Sequence, residues 1–167
     1  MKWILFFLLL PCFVKAQTTH IEDNKIVYKD TVKVEGSGKA ALYNRAVKAI
    51  TNNIHPVKAY KVPYYKNEDS ITAVGSINLT SGYPIKKTLT YTVTLKVEDG
   101  DYSYRIDSFD IIQAKKGGKT TVIPGEEVLK DMDKSGKPSE DAEKLLNEID
   151  MDMQKLIALV KKDMSKE

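Results

Sequence analysis

Residues that commonly carry catalysis or bind transition metals are scarce in this sequence. Its single cysteine is Cys12, close to the N-terminus, and its two histidines are His20 and His55. Residues 17–167 therefore offer no thiol for a disulfide, for nucleophilic catalysis or for a thiolate metal site. Neither histidine has a partner at ligand or triad spacing, so the sequence predicts no zinc site and no nucleophilic triad.

A strong imbalance of charge is also missing. The 26 basic and 23 acidic residues give a net charge of +3, and two of the basic residues, Lys2 and Lys15, lie in an N-terminal leader, which leaves about +1 for the rest. A nearly neutral chain lacks the excess of positive charge that favours binding to nucleic acid or to an anionic membrane. With 167 residues, of which 42% are hydrophobic and 29% charged, the chain is expected to form one globular domain.

Long apolar runs are limited to Ile4–Val14, which follows a start carrying one lysine. This run is shorter than the ~20 residues that a membrane-spanning helix needs. It ends in Val14-Lys15-Ala16, which places permissive residues at the −3 and −1 positions before Gln17, as in a cleaved signal peptide. We therefore predict a signal peptide over residues 1–16, cleavage between Ala16 and Gln17, and no transmembrane segment once it is removed.

Cys12 raises the alternative of a lipoprotein signal, in which the cysteine becomes the lipidated first residue. Pro11 stands before it, where such a signal has Gly, Ala or Ser. We expect Cys12 to be removed with the leader and the mature protein to be secreted or periplasmic.

The remaining chain predicts a flexible N-terminus over residues 17–24 and a single domain over residues 25–164 with the order β-α-β-β-β-β-α. The expected strands are 25–34, 57–66, 70–79, 87–98 and 102–111, and the expected helices are 39–53 and 140–164. Residues 114–138 are expected to be a polar linker to the last helix, in which 120–123 can add a short edge strand and 126–132 a helical turn.

The clearest strand runs over residues 87–98, where apolar residues alternate with threonines, as in a sheet with one buried and one solvated face. Asp99-Gly100 predicts a tight hairpin, and a slip of the alternation predicts a bulge near Asp107-Ser108. The fold class is therefore α+β, a two-layer domain in which an antiparallel sheet of four to six strands carries two helices on one face.

The stretch Val34–Val47 resembles a phosphate-binding loop, because two glycines and Lys39 join a strand to a helix. A P-loop needs glycine where Lys33 stands and Ser or Thr where Ala40 stands, so the sequence excludes it. We interpret the stretch as a structural corner in which Ser37 caps the helix and Gly36 or Gly38 has a positive φ. The helix is then expected to bury three side chains, which are Leu42, Ala46 and Ile50.

Two groups of acidic residues are candidate sites. Asp131, Asp133 and Ser135 followed by Gly136 begin like a calcium loop, but Ala142 takes the place of its bidentate acid, which favours a polar linker. Asp107 and Asp110 flank the predicted bulge, and Glu68-Asp69 lies in a turn; such acids serve a hydrolase only if they converge in a pocket. Exposed strand ends are the expected outcome, with no metal and no cofactor.

Two surfaces remain as binding candidates. The solvated face of the sheet would present eight polar residues, which are Ser70, Thr72, Ser76, Asn78, Thr90, Thr92, Thr94 and Lys96. It suits a protein or a glycan, although threonine is also simply a good strand former. The alternative is a cleft for a small apolar ligand, lined by the nine tyrosines and by the last helix through Leu146, Met153 and Ile157.

The chain resembles a family of secreted bacterial domains of unknown function, found mainly in Bacteroidetes and described as having a TATA-binding-protein-like (TBP-like) fold. The resemblance is carried by the exported precursor, the strand Lys25–Val34, the Gly36-Ser37 turn, the helix run Leu42-Tyr43-Asn44-Arg45-Ala46, Gly75 and the hairpin Lys96–Arg105. It covers roughly residues 25–113 and the last helix. It implies the fold and supplies no catalytic residues, and DNA binding does not follow from the name of the fold.

From these patterns we predict a non-enzymatic, exported binding or envelope-associated domain. Its partner is expected to be a protein, a glycan or a small apolar ligand outside the cytoplasm, and not a nucleic acid. The alternative is a carrier of a small apolar ligand held between the sheet and the last helix.

Overall fold

The computed structural model describes residues 21–55, 64–80, 86–114, 119–131 and 137–166. Its elements are β1 Ile21–Glu22, β2 Lys25–Ile26, β3 Tyr28–Lys33, α1 Lys39–Asn53, β4 Tyr64–Lys66, β5 Ser70–Leu79, β6 Lys87–Glu98, β7 Asp101–Ala114, β8 Thr120–Pro124, α2 Gly125–Lys130 and α3 Glu140–Met164. The short β1 and β2 pair with each other, and the other six strands form one sheet in the order β3-β7-β6-β5-β4, with β8 also on β7. The predicted signal peptide lies outside the described residues.

Two strands share one edge of β7. β3 pairs with its first half, as far as Tyr28 opposite Ile106, and β8 pairs with its second half from Asp110 onward. Between them Ser108 has a φ of 55°, and the β6–β7 register shifts between Thr90 and Thr92. The predicted bulge is therefore confirmed, and it marks the place where one neighbour of β7 ends and the next begins.

The helices cover one face of the sheet. α1 buries Leu42, Ala46, Ala49 and Ile50, which lie on one face of the helix, and the three that were predicted to be buried are confirmed. α3 runs about 37 Å and buries Ile149 and Met153 completely. A fully buried side chain of this size stabilises the fold by about 1.5–3 kcal/mol. The two-layer α+β fold with an antiparallel sheet is thus confirmed.

Three aromatic rings fill the centre of this core. Tyr28 and Tyr91 both lie against Phe109, with ring centroids 6.0 and 6.4 Å from it. Tyr91 pairs across strands with Gly75, where an added Cβ would lie only 2.6 Å from the ring. Glycine at this position therefore leaves the space that the neighbouring tyrosine fills.

Ordered structure extends further than the sequence predicted. The segment 114–138, expected to be a polar linker, contains β8 and α2, because the second half of β7 offers an edge that β3 does not reach. Gly125 packs against the carbonyl of Phe109, where a Cβ would come within 2.9 Å, and Val128 is buried. The edge strand and helical turn weighed for this segment are the correct interpretation.

The N-terminal region also differs from expectation. Ile21–Glu22, within the segment expected to be flexible, pairs with Lys25–Ile26 through Asp23 and Asn24, whose φ angles are 50° and 59°. Two consecutive positive φ angles are typical of a type I′ hairpin turn, which Asp and Asn tolerate. Of the strand expected over residues 57–66, Tyr64–Lys66 forms β4, and 57–63 lie outside the described residues.

Candidate functional site

The glycine corner before α1 is tied to the β6–β7 hairpin. Gly36 has a φ of 76°, as predicted, and Gly38 rather than Ser37 is the N-cap of α1. The Oδ1 of Asp99 accepts a hydrogen bond from the backbone N–H of Lys39 at 2.8 Å. A carboxylate of the chain itself therefore binds where a P-loop would hold a phosphate.

Ser37 has a different role from the capping role predicted for it. Its Oγ accepts a hydrogen bond from Nη1 of Arg45 at 3.1 Å, and its carbonyl accepts one from the N–H of Gly100 at 3.0 Å. The capping prediction was wrong because Asp99, which is distant in sequence, supplies the oxygen acceptor instead.

The first residue of the suspected calcium loop, Asp131, contacts the N-cap of α3. Oδ2 of Asp131 accepts a hydrogen bond from the Oγ of Ser139 at 2.7 Å, and Ser139 in turn caps α3 through the N–H of Ala142 at 3.2 Å. Asp133, Ser135 and Gly136 lie outside the described residues. In the described ranges, no group of three His, Cys, Asp or Glu residues is placed to hold a metal ion.

Asp107 and Asp110 both lie on the solvated face but have different surroundings. Asp107 accepts a hydrogen bond from Nε of Arg105 at 2.5 Å and one from Oγ of Ser108 at 3.3 Å. Burial, and then the negative charge of Glu126, raise the pKa of Asp110. Each is half-buried, in contrast to the predicted exposed strand ends, and one of them is already in an ion pair.

The other candidate residues have exposed or structural positions. His55 is exposed at the end of α1, and its carbonyl accepts a hydrogen bond from the N–H of Ser76 at 3.0 Å. Glu68 is exposed, and the carbonyl of Asp69 accepts a bond from the N–H of Val97 at 2.8 Å. His20 lies outside the described residues.

The solvated side of the central strands forms what we call the open face. It comprises Ser70, Thr72, Val74, Ser76 and Asn78 of β5, Thr88, Thr90, Thr92, Thr94 and Lys96 of β6, and Ser103, Arg105, Asp107, Asp110 and Ile112 of β7. All the polar residues predicted for this face lie on it. The three described helices bury their apolar residues in the core on the other side of the sheet.

Hydroxyl groups on the open face bond to one another across strands. The Oγ1 atoms of Thr72 and Thr94 are 3.0 Å apart, and Oγ1 of Thr88 donates to Oδ1 of Asn78 at 3.2 Å. Thr90, in the middle, is only 8% exposed, and its hydroxyl lies 3.4 Å from the carbonyl of Asp110. These bonds restrain the side chains that make them and order the centre of the face.

Apolar side chains lie at two opposite margins of this face. Tyr65 pairs with Thr72 at the β4 margin and is 60% exposed. Val122 pairs with Ile112 at the β8 margin and is 56% exposed. A polar, ordered centre with exposed apolar margins is a surface that can contact another macromolecule.

Two carboxylates lie on the buried side of α3, and the sequence analysis did not identify either. Glu148 accepts hydrogen bonds from the N–H of Thr80 at 2.6 Å and from its hydroxyl at 3.3 Å. Burial, and then the negative charge of Asp150, raise the pKa of Tyr28. Both acids lie next to apolar positions of the helical repeat. This was the only feature of the sequence that could have indicated their burial. Their contacts are structural.

Around Met153 the region proposed for an apolar ligand is closely packed. Leu146, Met153 and Ile157 all belong to the hydrophobic core, and Met153 has no accessible surface at all, so no water-sized space touches it. A small pocket of about 170 Å³ lies between the sheet, α2 and the start of α3, with Ile111, Val128 and Leu145 in its lining. No helix in the described part of the chain is long and apolar enough to cross a membrane.

Similarities to known proteins concern the family and the fold. Residues 28–111 match the family described as a domain of unknown function (DUF4468) with TBP-like fold. A crystal structure of a TBP-like protein from Parabacteroides distasonis ATCC 8503 has a TM-score of 0.71 at 16% identity, covering 89% of this chain and 97% of that one. A DUF4468 family protein from Bacteroides ovatus ATCC 8483 has a TM-score of 0.66 at 13% identity, covering 89% and 91%.

No curated protein matches the chain significantly. At such low identities the two crystal structures establish the fold alone. The TBP-like fold that the resemblance implied is thereby confirmed.

Proposed function

The chain belongs to the DUF4468 family of TBP-like domains of unknown function, and we propose that it is an exported, non-enzymatic domain that binds a partner protein through its open face. Export is supported by the leader that ends at Ala16. A binding role is supported by the open face itself, which is the observation that carries the proposal. Asp107, one of the two acids considered for catalysis, is already held in an ion pair with Arg105.

The size of the open face suits a specific protein interface. Four strand widths, from the β3 and β8 edge to β5, measure about 19 Å at about 4.8 Å per strand, and the ten paired positions of β5 and β6 extend about 34 Å. Their product, about 650 Å² before the three residues of β4 are added, approaches the area of about 800 Å² that one partner buries in a standard interface. Because its hydroxyls are already bonded to each other, little side-chain entropy is lost when a partner docks.

The charges of the open face argue against nucleic acid as the partner. Nε of Arg105 lies 2.5 Å from a carboxylate oxygen of Asp107, and Nζ of Lys96 lies 3.2 Å from Glu98. The basic groups that β6 and β7 contribute to this face are thus paired with acids, whereas nucleic acid binding requires unpaired cations along the phosphate backbone.

Photo-crosslinking tests the proposal. A benzophenone amino acid replaces Tyr65 or Val122 on the open face, and Leu159, which is 46% exposed on α3, serves as the control site. The mature protein is incubated with the envelope fraction of the producing bacterium. We expect the same discrete protein adduct from both open-face sites and none from the Leu159 site.

A substitution in the centre of the face supplies the specificity test. Thr92→Arg places a long cation on the half-buried position opposite Asp107 and should abolish the adducts while leaving the circular dichroism spectrum unchanged. Adducts that survive Thr92→Arg, or equal adducts from Leu159, would contradict docking on the open face. An adduct with polysaccharide instead of protein would show that the partner is a glycan. Recovery of the protein in the cytoplasmic fraction would contradict export.

A further inference from the structure

A polar groove lies where α1 packs against the C-terminal end of α3. Its lining includes Asn44, Arg45, Lys48 and Asn52 from α1, Asp163 from α3, and Lys166 just beyond α3, around a volume of about 350 Å³. Asn44 and Arg45 are adjacent, and Lys48 and Asn52 follow at steps of three and four residues, so the four α1 residues share one face of the helix. We call it the α1–α3 groove. It lies on the helical layer, away from the open face.

Arg45 is held in a fixed position at the base of this groove. Its Nη1 donates to the Oγ of Ser37 at 3.1 Å and to the carbonyl of Met164 at 3.2 Å, and the side chain is half-buried. Both acceptors are neutral, and within the described ranges no carboxylate lies within ion-pair distance of Arg45. A guanidinium that is anchored but not neutralised presents its remaining N–H groups in a rigid fork.

The remaining charges of the groove leave it positive. Lys48, one turn along α1, also has no carboxylate partner among the residues that the structure describes. The one acid in the lining, Asp163, accepts hydrogen bonds from Nζ of Lys166 at 2.5 Å and from Nδ2 of Asn53 at 2.9 Å. The bond from Lys166 is the main reason that the pKa of Asp163 is lowered, so this acid is ionised at neutral pH. Three cations and one anion give a local charge of about +2.

We propose that the α1–α3 groove binds the dianionic phosphate group of a phosphate monoester or of free phosphate. Such a group carries about −1.5 to −2 charges at pH 7, which matches the charge of the groove. Arg45 offers the fork that suits phosphate oxygens, Lys48 adds a point charge, and Asn44 can donate from its amide. The bond from Arg45 to the carbonyl of Met164 also satisfies a group at the negative end of α3 that would otherwise repel an anion.

The test is a titration of the mature protein with inorganic phosphate at constant ionic strength, followed by amide and arginine side-chain NMR shifts. We expect saturable shifts at Arg45, Lys48 and Asn44. Lys48→Gln should weaken binding roughly fivefold to tenfold, because it removes one charged contact without touching a structural bond. Lys155→Gln is the matched control, since it removes the same charge from an exposed site on α3 and should leave the affinity unchanged.

A second arm identifies the source of the phosphate. Vesicles of phosphatidylcholine with and without phosphatidic acid, whose headgroup is a phosphate monoester, are sedimented with the same variants. Retention on phosphatidic acid that Lys48→Gln weakens assigns a lipid headgroup, and binding of inorganic phosphate without vesicle retention assigns a soluble ligand. The proposal is overturned if neither arm shows saturable binding, or if Lys48→Gln and Lys155→Gln weaken it equally. Arg45→Lys, which keeps the charge and loses the fork, should weaken phosphate binding as well.

Discussion

The carboxylate of Asp99 accepts a hydrogen bond from the backbone N–H of Lys39 at 2.8 Å although 60 residues separate the two in sequence. The first turn of α1 contains no acidic residue and its N-cap, Gly38, has no side chain to offer. The hairpin between β6 and β7 therefore supplies both the acceptor and the negative charge that a helix N-terminus favours. This one hydrogen bond therefore links the β6–β7 hairpin to α1.

Removing this long-range cap should destabilise the domain. We expect Asp99→Ala to lower the free energy of unfolding by about 1 kcal/mol, as for other lost N-cap acceptors, and Asp99→Asn to lower it by less because an oxygen acceptor remains. Urea denaturation followed by circular dichroism measures both. Glu98→Ala, on the neighbouring exposed residue, is the control and should change nothing measurable. Equal stability of all three variants would show that the Asp99 contact contributes nothing.

The close fit between Gly75 and Tyr91 leads to a second prediction. In Gly75→Ala the new Cβ would lie 2.6–2.7 Å from atoms of the Tyr91 ring, and the buried ring has little room to move. We expect a loss of about 1–3 kcal/mol, the usual cost of overpacking. Ser76→Ala, on the open face, should be nearly neutral.

A double-mutant cycle with Tyr91→Leu, measured by urea denaturation, identifies the cause. If steric conflict with the ring is responsible, Gly75→Ala should cost much less in the Tyr91→Leu background than in the wild type. An unchanged cost in both backgrounds would place the strain elsewhere.

Local periodicity was enough to predict the parts of the fold whose neighbours lie close in sequence. The alternation along 87–98, the Asp99-Gly100 turn and the three- and four-residue spacing of Leu42, Ala46 and Ile50 each specify an element by themselves. β8 was harder because Thr120–Pro124 has little pattern of its own. It becomes a strand because β7 has an unoccupied edge beyond Asp110.

Polar contacts between residues that are distant in sequence were still harder to predict. Ser37 was a reasonable cap by its position, but the acceptor that replaces it comes from Asp99, and Arg45 reaches the end of α3, 119 residues away. Neither contact has a signature in the order of residues. The open face was predictable because strand alternation defines it, whereas the α1–α3 groove depends on how two helices pack and required the structure.

Buried tyrosines predict a loss of stability in alkali. Burial, and then the negative charge of Asp152, raise the pKa of Tyr91 from 10.0 to about 12. The folded state therefore favours the neutral phenol, and its contribution is complete below pH 10 and is lost as the pH rises from 10 to about 12. The slope is about 1.4 kcal/mol per pH unit for one such group.

Urea denaturation between pH 8 and 11.5 measures this effect. We expect the Tyr91→Phe variant to lose less stability over that range than the wild type, because it has no phenol to ionise at this position. Tyr65, which is 60% exposed, provides the control, and Tyr65→Phe should follow the wild-type curve. Parallel curves for wild type and Tyr91→Phe would contradict the raised pKa of Tyr91.

The carboxylate of Glu148 should stabilise the contact between the end of β5 and α3. It is 4% exposed and accepts two hydrogen bonds from Thr80, which lies 68 residues earlier in the chain. We expect Glu148→Ala to lower the free energy of unfolding by about 1.5–3 kcal/mol, because the N–H of Thr80 loses a charged acceptor. Glu148→Gln keeps an oxygen in place and should cost less.

Urea denaturation gives the total loss, and amide hydrogen exchange at Thr80 locates it, since that N–H should exchange faster in Glu148→Ala. Glu143→Ala, on the exposed side of α3, is the matched control and should alter neither measurement. Unchanged exchange at Thr80 in Glu148→Ala would show that this N–H is protected by another group.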